Sequence, residues 1–338
     1  MLSQFSHTIE QLDLAAEHLS HGDANNARFA LMLSDNVVEL TLHQLAKDTQ
    51  SRVKANAWMR EPYEHEKPLA KALARWFEEK VRFAVLLGKL SPEIGESIRV
   101  NHLFRNDIYH VGLQHEAILP ALATFYYDLA CQLCADYEVR SWGYSPGQKL
   151  PDRAAKYMKG ERSLIFDFPG EYRKACLALK AKSAHEPIAF AEALASHMDS
   201  VVEQHDKWID YISRNAPRRE SRDQVVIGCQ SWPLLFTEEG RDFCRKNGFK
   251  KGNLVTWLEE HYPFKFKSDP IPAWRKRAER LRREKNAHTA LKMYRSFMDD
   301  TADLRDALGD ATSAVDNYVE EQIERMREAR ASTRERGS

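Results

Sequence analysis

The sequence predicts an all-α protein with at most one or two short strands. Apolar residues recur at steps of three and four along most of the chain, the spacing that lines one face of a helix, and helix start and stop signals bracket the clearest run. The chain has 338 residues, 43% hydrophobic and 30% charged, enough for one large or two ordinary domains with a buried core.

Leu12, Ala15, Ala16 and Leu19 form the first apolar stripe. Phe29, Leu33, Val37, Leu40 and Leu45 form the second, and Leu69, Leu73, Phe77, Val81 and Leu86 continue it. Ser91-Pro92-Glu93 reads as an N-cap, a proline at the first helical position and a favourable early acid, with Gly112 as the stop. A helix is therefore expected over 92–111 and another over 115–137. Residues 1–140 should make an antiparallel bundle of four or five helices.

Between Ser141 and Gly170 glycine and proline punctuate the chain, and only Ser163–Phe168 resembles a strand, so 141–170 is expected to be a linker. Helices resume over 171–214 and are followed by a charged connector. Val225–Cys229 reads as a buried strand. Thr237–Asn247 and Asn253–Tyr262 read as two short helices joined across Gly248 and Gly252, a spacing shared with helix-turn-helix motifs. A helical tract over 271–330 is expected to break near Gly309, with Leu308, Ala311, Val315 and Tyr318 as a packing seam for a hairpin or a dimer. Residues 171–330 thus form a helical carboxy-terminal domain, and the tail 331–338 is expected to be disordered.

No run approaches 18 apolar residues, and the amino terminus lacks the basic start and apolar core of a secretory signal, so no membrane partner is expected. Five cysteines are too few and odd in number for a disulfide framework, which points to reduced thiols and the cytoplasm. The 50 basic and 50 acidic residues cancel, but they are segregated. The segment 241–295 is strongly basic, whereas 1–240 and 296–338 are acidic on balance. An anionic partner senses charge over a Debye length of about 8 Å, so a neutral total does not exclude nucleic acid.

The expected chemistry centres on Arg105-Asn106-x3-His110, near the end of the 92–111 helix. Guanidinium offers a permanent charge that grips phosphate oxygens in pairs, and imidazole carries a proton near neutral pH. Arg followed five residues later by His also occurs at Arg60/His65 and Arg283/His288, so the spacing alone carries little; only Arg105 is followed directly by Asn. Arg105 and His110 lie among Leu103, Phe104, Ile108, Tyr109 and Val111, where charged residues need a reason. Five residues turn a helix by about 500°, leaving the two side chains roughly 140° apart. Two copies meeting in a homodimer could bring such side chains to one phosphate.

An all-helical domain with Arg-Asn-x3-His late in a helix resembles the HEPN superfamily, whose nuclease members carry an Arg-x4-6-His motif. The segment Ala30–Leu45 resembles the early HEPN helix that presents an acid toward that motif, with Glu39 the better match and Asp35 the second. The resemblance covers about residues 25–140. It implies metal-independent RNA cleavage by a dimer: the 2′-hydroxyl attacks the phosphate, His110 moves the proton, Arg105 stabilises the phosphorane, and Asn106 and Tyr109 support them. It also implies a toxin or antiviral defence effector acting on tRNA or mRNA, with an antitoxin or regulatory partner. No cofactor is expected. The competing structural role is an Arg105 salt bridge to Glu39 or Asp107, with His110 as a cation at the helix end.

Other motifs are weaker. Cys131-x2-Cys134 reads as two small buried residues, His205-Asp206 lacks the partners of a metal site, and no glycine-rich phosphate loop, zinc motif or nucleophile elbow occurs. No metal is expected. Arg275, Lys276, Arg277, Arg280, Arg282 and Arg283, near Phe264, Phe266, Trp274 and Tyr294, suit an RNA-binding surface or a solvated face paired with the acids of 299–306. The alternatives to a ribonuclease are a non-enzymatic dimerisation or nucleotide-binding module, and a DNA-binding regulator using the 237–262 hairpin.

Overall fold

The computed structural model describes residues 2–56, 62–111, 116–140, 150–158 and 167–335, the side chains of 2–3, 109–111 and 331–335 excepted. The fold is all-α, with fourteen helices and no strand among the described residues. None of these helices is long and apolar enough to cross a membrane. The chain divides into two compact units, residues 1–194 with 282–293, and 195–281 with 294–338.

The first unit begins with α1 (Leu2–Ser20) and α2 (Ala24–Ala55). The turn between them needs a left-handed residue, which Gly22 supplies at φ 72°. Asp23 then caps α2 by accepting from the Asn26 amide at 3.0 Å. The short helices α3 (Glu66–Leu73) and α4 (Phe77–Leu86) follow, then α5 (Pro92–Val111) and α6 (Leu119–Asp136). Ser91 caps α5 through the Ile94 amide, as the sequence signals require. Among the described residues of 1–140, six helices thus stand where four or five were expected.

The core lies along α2, between α1 and α6. Ile9, Leu12, Leu31, Val38, Leu42, Leu122 and Tyr126 are all buried. Each large aliphatic side chain so placed contributes about 1.5–3 kcal/mol. Within the expected 141–170 linker stands α7 (Asp152–Ala155), and α8 (Phe168–Lys180) begins before its end; both pack in this same unit. Tyr127 of α6 donates to the Leu179 carbonyl of α8 at 2.9 Å. Phe5 of α1 meets Phe168 and Tyr172 edge-on or tilted. Most of Ser163–Phe168, the expected strand, lies outside the described residues; Phe168 itself opens α8. Helix α9 (Pro187–Asn215) begins in this unit, where Phe190 stacks on Phe125.

The second unit takes the rest of α9, then α10 (Arg222–Leu234), α11 (Glu238–Lys246), α12 (Leu254–His261), α13 (Ile271–Arg282) and most of α14 (Ala287–Glu335). Val225–Cys229 is helical, not a strand. Ser221 and Gln224 form a reciprocal capping box that starts α10 just upstream, and this local signal overrides the β-branched Val225–Val226 pair. The break in the carboxy-terminal tract falls between α13 and α14 instead of near Gly309, which sits inside α14 with the Trp208 ring 3.6 Å from the position of a Cβ. Helix α14 also runs on to Glu335, past the point where order was expected to end. Trp274 of α13 anchors the core, buried edge-on against Phe297 of α14. Arg222 ties this unit together through Asp206 at 2.5 Å and Asp269 at 2.7 Å.

Candidate functional site

The site is built around one buried carboxylate. Asp35 sits in the middle of α2 at 0% exposure. An ionised group in such a place must be matched by donors. Tyr126 of α6 donates its hydroxyl to Oδ1 at 2.8 Å. Burial first, and the Asp35 charge after it, push this phenol well above its ordinary pKa, so it stays a donor at any physiological pH. Two further groups reach Asp35 from α5. Nδ1 of His102 lies 3.0 Å from both carboxylate oxygens, and Nε of Arg105 lies 3.2 Å from Oδ2.

The helix explains why both arrive together. His102 and Arg105 are three residues apart, hence neighbours on one face of α5. The remaining contacts fix their orientation. The His102 ring stacks face to face on Phe77 of α4, with centroids 3.8 Å apart and planes within 5°. Arg105 donates from Nη1 to Oδ1 of the adjacent Asn106 at 2.8 Å. Nε of the guanidinium thus lies against the Asp35 charge without donating a hydrogen bond to it, while 33% of the side chain stays exposed.

Asp35, the second choice from the sequence, is thus the acid that meets the motif. Glu39 lies one turn further along α2 and turns to Lys80, whose buried ammonium is 3.3 Å away and also donates to the Ala74 carbonyl at 3.0 Å. The Arg105 partner is Asp35, in place of the Glu39 or Asp107 salt bridge weighed from the sequence. Tyr109 and His110 belong to the last turn of α5, and their side chains lie outside the described residues.

Sequence reasoning misses His102. Its one signal is its place three residues before Arg105, on the face that five-residue spacing to His110 leaves. It lines a cleft of about 420 Å³ with Trp76, Phe77, Glu78, Glu79, Arg99 and Leu103. Trp76 is exposed there.

The other candidates resolve more simply. Cys131 and Cys134 are buried in α6. His205 is buried and hydrogen-bonds the Val201 carbonyl at 2.6 Å, and Asp206 is taken up by Arg222 and Arg275. Among the described residues no group of three His, Cys, Asp or Glu could hold a metal ion.

The basic helix α13 separates into two sets. Arg275 pairs with Asp206 at 2.5 Å, Arg277 pairs with Asp300 at 3.1 Å while lying over the Phe297 ring, and Arg282 pairs with Glu192 at 2.9 Å. Lys276 and Arg280, four residues apart on the exposed face of α13, have no ion pair among the described residues; Arg283, just past the helix, is exposed and likewise unpaired. Of the acidic stretch, Asp300 takes both Arg277 and Lys265, whereas Asp299 pairs with Arg295 of its own helix.

The chain matches no protein-family model, no curated protein and no solved structure.

Proposed function

We propose that the protein is a metal-independent RNA endonuclease of the HEPN type, acting through Arg105, Asn106 and His110. One observation carries the reading: buried Asp35 forms an ion pair with Arg105 at 3.2 Å from Nε, without a hydrogen bond from that atom, and Nη1 donates to Asn106, so the guanidinium is positioned yet part-exposed. A guanidinium fixed in this way is a preorganised donor for the charge that builds on a phosphorane. RNA supplies its own nucleophile, the 2′-hydroxyl, so the site needs a proton carrier and a cation but no serine or cysteine. Arg105 would hold the phosphate oxygens and His110 would move a proton at the bridging oxygen, leaving a 2′,3′-cyclic phosphate.

On this reading the protein works as a homodimer on tRNA or mRNA, and Lys276, Arg280 and Arg283 offer unpaired charge to RNA. Its role would be that of a growth-arresting toxin or antiviral effector restrained by an antitoxin or regulatory partner. A second reading, a non-enzymatic interaction module, draws on the same Asp35–Arg105 contact, since an ion pair of this kind also fastens two helices.

The test is incubation of wild type, Arg105→Ala and His110→Ala with total RNA and tRNA in EDTA. The expected result is cleavage by wild type, with cyclic phosphate ends, that both variants lose. Intact RNA after incubation with folded wild type overturns the nuclease and favours the interaction module.

A further inference from the structure

We propose that His102 is the general base of this site, a catalytic histidine additional to His110; the assignment rests on the ribonuclease reading. Four features of the geometry point to it. Asp35 faces Nδ1, so the proton of the neutral imidazole sits there and the lone pair sits on Nε2, the opposite edge of the ring. Phe77 stacked at 3.8 Å blocks one face of the ring, which leaves the imidazole a single orientation. His102 lines the cleft with 18% of its side chain exposed, and no described residue hydrogen-bonds Nε2. Arg105 shares the same carboxylate and the same face of α5, so a phosphate held by its guanidinium lies next to the imidazole.

A purely structural partner for Asp35 needs none of this. Tyr126 already donates to the carboxylate and Arg105 supplies a counter-charge, and any short amide could supply a second donor. What histidine adds is a second ring nitrogen, on the edge away from Asp35, that no described residue hydrogen-bonds. A carboxylate that orients an imidazole in this way also stabilises the imidazolium formed when the ring accepts a proton.

The step is the following. The O2′–H proton passes to Nε2 of His102 as O2′ bonds to phosphorus. The P–O5′ bond then breaks, and O5′ takes a proton from His110 or from water. His102 returns its proton to solvent, and the product keeps a 2′,3′-cyclic phosphate. The substrate class is RNA with a free 2′-hydroxyl; a deoxy residue at the scissile position has nothing for His102 to deprotonate.

The experiment uses the full chain and an RNA oligonucleotide, with His102→Asn as the main variant because the asparagine amide keeps a donor where Nδ1 stood. Cleavage is expected to fall by about 10²–10⁴-fold, with partial recovery in added imidazole. An oligonucleotide whose scissile O5′ is replaced by sulfur needs no proton on its leaving group. It should leave the His102→Asn defect in place while relieving that of His110→Ala. Nitrogen-15 NMR of the wild-type imidazole gives a readout independent of any variant and should show a proton on Nδ1 and none on Nε2 in the neutral ring. Wild-type cleavage that survives His102→Asn overturns the assignment alone, as does rescue of that variant by the sulfur leaving group or a proton fixed on Nε2. Absence of cleavage by wild type overturns the ribonuclease reading and this assignment with it.

Discussion

The carboxylate of Asp35 lies 3.2 Å from Nε of Arg105, and the two ends of this contact differ in burial: the acid is wholly enclosed, whereas a third of the arginine side chain is exposed. Removing one partner of a buried pair strands the other, at a cost of about 3–5 kcal/mol when the stranded charge is buried. Arg105→Ala leaves Asp35 with Tyr126 and His102 as donors, so the loss should be smaller, about 1–2 kcal/mol. Asp35→Ala empties a buried site, leaves two donors, Tyr126 and His102, without their acceptor and strips Arg105 of its counter-charge, so it should destabilise the first unit by about 3–5 kcal/mol. Urea unfolding of both variants checks the asymmetry. Equal losses would mean that Asp35 is held by Arg105 alone.

Arg105→Lys separates charge from geometry. Lysine can reach either Asp35 or a phosphate, but its single ammonium cannot hold one with an inner edge and present an outer pair of donors to the other. Stability is expected to change by less than about 1 kcal/mol, while RNA cleavage falls at least about 100-fold. Wild-type cleavage by the lysine variant would show that a point charge suffices there.

Much of this site is legible in the sequence, because local signals set it. Ser91-Pro92-Glu93 places the start of α5, and the Arg105-Asn106 dipeptide singles out the segment near its end that meets Asp35. Asp35 and Glu39 both stand out, but they are four residues apart and share a face of α2. Which of them meets α5 depends on how the two helices pack, and periodicity is silent on that. His102 escapes notice because the motif runs forward from Arg105 toward His110. A three-residue separation turns a helix to within about 60° of the starting face, whereas five residues leave roughly 140°. In the second unit the Val225–Val226 pair suggests a strand, while the decisive signal is the Ser221-x-x-Gln224 capping box just before it.

Asp13 of α1 provides a pH test unconnected with RNA. Its nearly buried carboxylate accepts from Tyr157 and meets Arg153, Lys156 and Lys182 at 2.9, 3.0 and 3.3 Å, which fastens α1 to the segment around α7 and to the end of α8. Burial alone would raise its pKa, but the hydrogen bonds from Tyr157, Lys156, Arg153 and Lys182 outweigh it and hold the group well below the usual carboxylate range. A folded-state pKa below the unfolded one stabilises the fold above the unfolded value, about 4, and this contribution disappears as the pH falls toward the folded value. Wild type should therefore lose stability as acid is added below about pH 4. Asp13→Asn should be less stable at pH 7 and show a shallower decline over that range in thermal melts. Parallel declines would remove Asp13 as a source of the acid sensitivity.

The division of α13 into paired and unpaired cations gives opposite expectations for neighbouring residues. Lys276 and Arg280 are exposed and have no ion pair among the described residues, so reversing both to Glu should leave the melting temperature nearly unchanged. If the stripe binds single-stranded RNA, every phosphate that the reversal leaves unneutralised should flatten the slope of log affinity against log salt by about 0.7. Arg277 has a different role. It bridges to Asp300 at 3.1 Å and lies 5.2 Å from the Phe297 ring centre, so Arg277→Ala should lower stability by about 1 kcal/mol. Its effect on the salt slope should be small, because its charge is already engaged. Fluorescence anisotropy with a labelled RNA at several salt concentrations, together with thermal melts, separates the two effects. An unchanged slope in the Lys276/Arg280 double reversal would make the stripe a solvated face and move RNA binding away from α13.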